Sequence, residues 1–149
     1  MKLSQKIAVG APADAVWAMV MDIPRAGRCV PGVTRLESAG PDHFVGSLRV
    51  QLGPINVVLQ GDVTVVARDD ATRRASLRVD AKDARLASAV RATIDLVVLG
   101  TSDASELCMD TDVQIAGRIG DFGQPLIQRR SAQILEQFAQ CLARSSGTE

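Results

Sequence analysis

Aromatic residues are scarce in this chain: Trp17, Phe44, Phe122 and Phe138 are the whole set, and tyrosine is absent. Any pocket must therefore be lined mostly by aliphatic side chains and methionine, which select by shape and apolarity and offer few directional contacts. Histidine is scarcer still, with His43 alone, which argues against zinc. The three cysteines, Cys29, Cys108 and Cys141, are odd in number, widely spaced and without a CxxC pair. That pattern argues for free thiols in a reducing compartment, with Cys29 a buried or inert thiol. Charge of one sign is missing too: Lys plus Arg number 17 and Asp plus Glu 17, so no positive field gathers phosphates and nucleic acid is not an expected partner. No apolar run approaches the ~18 residues of a membrane span, and Met1-Lys2-Leu3-Ser4-Gln5-Lys6 lacks the apolar centre of a signal peptide. The expectation is a soluble, cytoplasmic protein.

What is present is a run of alternating strands followed by one long amphipathic helix. At 149 residues the chain suits one domain, expected over residues 1–145 with a short polar tail at 146–149. Leu3, Gln5, Ile7 and Val9 alternate with Lys2, Ser4, Lys6 and Ala8 as a half-buried first strand. A short helix is expected over 12–21, begun at Pro12 and stopped at Asp22-Ile23-Pro24. The stretch 23–32, with Pro24, Gly27, Pro31 and Gly32, reads as irregular with room for one helical turn. Strands follow at 33–39, 43–52, 55–68, 74–82, 86–99 and 105–116, joined by turns short enough to favour antiparallel neighbours. Their apolar faces, for example Leu48 and Val50, Leu77 and Val79, Ala92 and Ile94, or Leu107, Met109 and Val113, need a cover on one side. Ile119, Phe122, Leu126, Ile127, Ile134, Leu135, Phe138 and Leu142 recur at three- and four-residue steps and supply it as a helix over 120–144. A single helix is only ~10 Å wide and cannot fill a curved sheet. Small inward residues such as Gly46, Gly61, Ala75, Ala81 and Ala92 then mean either a lined void or a tighter curve.

Candidate catalytic groups are few. His43 stands at a strand start with no nucleophile in a useful relation to it, and reads as an ordinary exposed histidine. Asp110 and Asp112 share the solvated face of a strand and fit a solubility role better than a cation site. Gly117, Gly120 and Gly123 invite a phosphate-loop reading, yet neither GxGxxG nor GxxxxGK[ST] occurs; a close strand-to-helix crossover accounts for them. There is no GxSxG, and no serine or cysteine has an identifiable base. Met19, Met21 and Met109 read as core or lining residues. Of Arg129 and Arg130, placed mid-helix, one could lean toward the core to meet a polar ligand group, although both snorkelling into water is the plainer reading.

The order Val9-Gly10-Ala11-Pro12-Ala13-Asp14-Ala15-Val16-Trp17, then Asp22, then Cys29-Val30-Pro31-Gly32-Val33 resembles the opening of CoxG, the G-subunit family of carbon monoxide dehydrogenase. Gly46, Leu52-Gly53-Pro54-Ile55, Gly61, Gly117, Gly123-Gln124-Pro125-Leu126-Ile127 and Phe138 continue the match over nearly the whole chain. The resemblance implies an α+β helix-grip fold of the START-like or Bet v 1-like (SRPBCC) group: a seven-stranded curved antiparallel sheet wrapped around a long C-terminal helix, with short helices between strands 1 and 2. It further implies an accessory to a molybdenum-containing dehydrogenase that helps recruit the enzyme to the inner face of the membrane and binds a quinone or lipid-like molecule. No redox centre or other cofactor of its own is implied. Family members often continue into a membrane-attaching tail, whereas this sequence ends at Ser145-Ser146-Gly147-Thr148-Glu149; a short paralogue with a different ligand, or transient bilayer contact through 23–32, is the corresponding expectation.

The expected ligand-binding residues are Leu48, Val50, Leu59, Val63, Leu77, Val79, Ala92, Ile94, Leu107, Met109 and Val113 on the sheet, with Phe122, Leu126 and Arg130 on the helix. Two other readings make different demands. A polyketide cyclase or aromatase needs polar side chains inside the cavity, where Thr111 alone is expected, and a pure docking protein needs a filled core.

Overall fold

The structure is a computed structural model and describes residues 1–147. Seven strands form one antiparallel sheet in the order β1-β7-β6-β5-β4-β3-β2. They are β1 (Lys2–Val9), β2 (Val33–Gly40), β3 (His43–Leu52), β4 (Ile55–Asp69), β5 (Arg74–Asp83), β6 (Ser88–Gly100) and β7 (Ser105–Ala116). The helices α1 (Ala13–Met21) and α2 (Ile23–Gly27) lie between β1 and β2, and α3 (Gln124–Gly147) closes the chain. The fold is thus the helix-grip arrangement, with every strand on the apolar alternation expected of it.

Three local features depart from the sequence reading. The final helix does not begin at Gly120: a 3₁₀ turn at Arg118–Phe122 comes first, and Gly123, at φ +89°, breaks the path before α3 starts. Only glycine takes that backbone conformation without strain, and Pro125 suits the first turn of the helix that follows. Second, α3 runs through Gly147, and Ser146 is buried with its hydroxyl donating to the Leu142 carbonyl at 2.8 Å, so the expected polar tail from 146 is helix as far as it is described. Residues 148 and 149 lie outside the described residues. Third, Cys29 and Cys141 are joined in a disulfide across 112 residues, leaving Cys108 as the free thiol. The free-thiol expectation was therefore wrong for two of the three, because topology and not spacing brings the end of α2 onto α3. With that pair oxidised, the cysteines no longer point to a reducing compartment.

The core is in two parts. One cluster gathers Val16, Trp17, Met19 and Val20 of α1 against Leu96 and Val98, Leu107 and Met109, and Ala139 and Leu142 of α3. The other gathers Val50, Leu52 and Val57 at the β3–β4 hairpin against Ile119 and Ile127. Helix α3 bridges both and packs mainly along β1 at the edge of the sheet, touching β3 only lightly. The concave middle of the sheet is left without a covering element.

The row Gly46–Gly61–Ala81 crosses β3, β4 and β5 in register. A side chain at Gly61 would collide with the Asp80 carbonyl and Ala81 backbone, and one at Gly46 with the Arg35 carbonyl and Leu36. At these two glycines the neighbouring strand occupies the side-chain position, so they serve the tight curl of the sheet. Ala81 and Ala92 instead face open space. Both expected uses of small residues occur, at different positions.

Candidate functional site

Between the two core clusters lies a cavity of about 350 Å³, its wall almost wholly aliphatic. The sheet contributes Leu48 and Val50, Val57, Leu59 and Val63, Leu77 and Val79, Ala92 and Ile94, and Met109 and Val113; α3 contributes Ile127, Arg130, Ser131, Ile134, Leu135 and Phe138. The structure brings together most of the residues expected from the sequence. Leu107, Phe122 and Leu126 are the exceptions. Leu107 is fully buried in the cluster beneath α1, and Phe122 lies before the Gly123 break, packed against the hairpin cluster. Leu126, half-buried, does not reach the wall, because the break changes which face of α3 looks inward.

A fourth wall was missed. Ile23, Ala26, Gly27 and Val30 line the cavity from α2 and the turn after it. Their i, i+3, i+4, i+7 spacing is a helical stripe legible in the sequence, obscured there by Pro24 and Gly27. Pro24 is harmless in the first turn of a helix, and the Asp22 carboxylate accepts from the Arg25 amide at 3.4 Å to start it. The disulfide ties the end of this wall to α3. Its apolar side chains face inward while Arg25 and Arg28 are exposed.

Polar groups reach the cavity at its two extremes in strand order. On β2 and β3, Arg35 and Ser47 stand with the half-exposed Val30 and Val33, and this is the open side. Across from them Arg130 Nε donates to the Gln51 carbonyl at 3.2 Å and Nη1 to Gln133 Oε1 at 3.5 Å, so its guanidinium is held at the rim. At the other extreme Thr111, 5 % exposed, lies on β7 between Leu3 and Ile94 of the adjoining strands. Among the described residues no group pairs with its hydroxyl. No two of these polar side chains are hydrogen-bonded to each other among the described residues.

The remaining chemistry-bearing residues lie elsewhere. His43 Nε2 contacts Asp62 Oδ1 at 2.9 Å, a partner that its sequence position did not suggest, but on the exposed outer face. Beside it Arg91 and Arg78 both engage Asp80, the hydrogen bond from Arg91 holding that carboxyl below its ordinary range. Asp110 accepts from the Ser4 hydroxyl at 2.7 Å and Asp112 faces the N-terminal ammonium at 3.5 Å. Burial, followed by the Glu106 carboxylate, pushes the Cys108 thiol up, so it is little ionised near neutrality. Among the described residues no group of three His, Cys, Asp or Glu side chains could hold a metal.

The sequence matches the family model of the carbon monoxide dehydrogenase G subunit (CoxG) over residues 6–146. The chain belongs to the CoxG family. No curated protein sequence matches it. Among solved structures it is similar to a conserved protein from Geobacillus kaustophilus, with TM-score 0.87, 15 % identity, and coverage of 98 % of this chain and 95 % of that one. It is also similar to a START superfamily protein from Mycobacterium smegmatis, with TM-score 0.67, 15 % identity and coverage of 97 % and 96 %. The Zhui aromatase/cyclase from a Streptomyces species gives TM-score 0.64, 17 % identity and coverage of 97 % and 94 %. At such identities these likenesses establish the fold. The START-like frame of the CoxG family is the one whose concave face this cavity occupies.

Proposed function

We propose that this CoxG family member is a non-enzymatic binding protein that holds a hydrophobic small molecule, quinone or lipid-like, between its sheet and α3. In this reading it serves as an accessory to a molybdenum-containing carbon monoxide dehydrogenase-type enzyme and shares in that enzyme's recruitment to the membrane. The apolar cavity carries the first part; family membership supports the second. Among the described residues no helix is long and apolar enough to cross a membrane, so recruitment would be peripheral, at the cytoplasmic face, with Arg25 and Arg28 the exposed cations of the segment beside the open side.

Magnitudes set what the ligand must supply. Burying ~200 Å² of apolar ligand surface contributes about 5 kcal/mol before ordering costs, while micromolar binding needs about 8 kcal/mol. A greasy body of that size is therefore insufficient alone, and a larger contact area or a polar contact has to make up the difference.

The competing readings find less support. A cyclase or aromatase needs acid, base or hydroxyl groups in mutual reach, and the polar residues of this wall are separated. A docking protein with a filled core has no use for a cavity of about 350 Å³. The test is native mass spectrometry of the gently purified protein, together with thermal shift against quinones and single-chain lipids. Bound mass and a rise in Tm of several degrees are expected, since a ligand at a hundred times its Kd adds about 2.7 kcal/mol. Absence of both across the panel would contradict the reading.

A further inference from the structure

An unpaired hydroxyl in an aliphatic cavity is costly, because a buried polar group that finds no partner forfeits its hydration. Thr111 is in that position. Its Oγ1 is buried, lines the cavity and has no hydrogen-bond partner among the described residues, while the side chains beside it in register are Leu3 and Ile94. Valine has nearly the same shape and would fill the place without that cost. The other hydroxyl in this condition, on Ser105, does not line the cavity.

Resting on the carrier reading, we infer that Thr111 is the specificity-determining residue of the cavity and that the ligand presents an oxygen acceptor, a carbonyl or hydroxyl, at the end that enters first. Entry from the open side at Arg35 and Val33 carries the leading end across the sheet from β2 toward β7, where Thr111 donates to it. The body behind it is apolar, because everything between the two extremes is aliphatic. Its size is also bounded. A 150 Å³ apolar cavity takes one benzene, so about 350 Å³ takes two such rings and excludes a diacyl lipid with its chains inside.

Fluorenone and fluorene are matched probes: two benzene rings joined by a bridge that carries a carbonyl in one and only hydrogen in the other. Fluorescence and calorimetric titration of the full chain should give about tenfold tighter binding of fluorenone. Thr111→Val should bring the two within about twofold, chiefly by weakening fluorenone, and Thr111→Ser, which keeps the hydroxyl, should retain the preference. Equal affinities in the wild-type protein, or a preference that survives Thr111→Val, would overturn the inference while leaving the carrier reading intact. The fluorene arm does not involve the hydroxyl, so failure of the wild-type protein to bind either probe would instead strike the carrier reading and this inference with it.

Discussion

Asp83, only 1 % exposed, shows how much a single side chain can organise. It ends β5, and its carboxylate accepts from the amides of Val58 at 2.8 Å, Arg85 at 3.0 Å and Leu86 at 3.2 Å. Burial alone would raise its pKa, but those amides and the Arg85 guanidinium outweigh desolvation and hold it below the ordinary value. A folded-state pKa below the unfolded one means stability that is present above about pH 4 and lost as pH falls through the folded value. Asp83→Asn should therefore cost about 2 kcal/mol at pH 7, and the difference from wild type in urea unfolding should shrink steadily as pH falls from about 5 to about 3. A difference independent of pH would contradict this role. The sequence carried the signal in part: Asp followed by free amides two and three residues on is a turn pattern. The third amide, from Val58 on the next strand, was not legible because it depends on register. Thr111, by contrast, could be placed inward from alternation alone, though its lack of a partner could not.

At the scale of elements, strand alternation was the most legible feature, since period two depends on nothing beyond the strand itself. The ends of helices were less so. Gly123 was visible as a glycine, but that it takes a positive φ and separates a 3₁₀ turn from α3 is decided by the crossover it must make. The breakers in 23–32 hid α2 and with it a wall of the cavity, and the disulfide between Cys29 and Cys141 was hidden for the same reason. Gly61 and Ala92 separate the two uses of small residues in the strands. Gly61→Ala should destabilise by about 2 kcal/mol, because the added carbon meets the backbone of β5. Ala92→Leu, pointed into the cavity, should be neutral or stabilise by about 1 kcal/mol and raise Tm by a few degrees while weakening ligand binding. If thermal unfolding shows Ala92→Leu as damaging as Gly61→Ala, the cavity is not open at that point.

The whole molecule is a sheet with too much concave surface for its one long helix. Helix α3 favours β1, the short helices cover one end, the β3–β4 hairpin and the 3₁₀ turn close the other, and the space between remains. The disulfide closes a loop of 112 residues between the α2 wall and α3, which in the chain-entropy account stabilises by about 4 kcal/mol and fixes one wall against the helix. That such a space would exist followed from the count of elements and the scarcity of bulky side chains. Its position between two core clusters, and the separation of its polar groups to opposite extremes, required the path of the chain. Apolar cavities well below this size stay dry and take up xenon. A crystal of the purified protein pressurised with xenon should therefore show xenon density bounded by Leu77, Ala92, Met109 and Ile134. Side chains packed through that volume, with α3 against the middle strands and no xenon bound, would contradict the account.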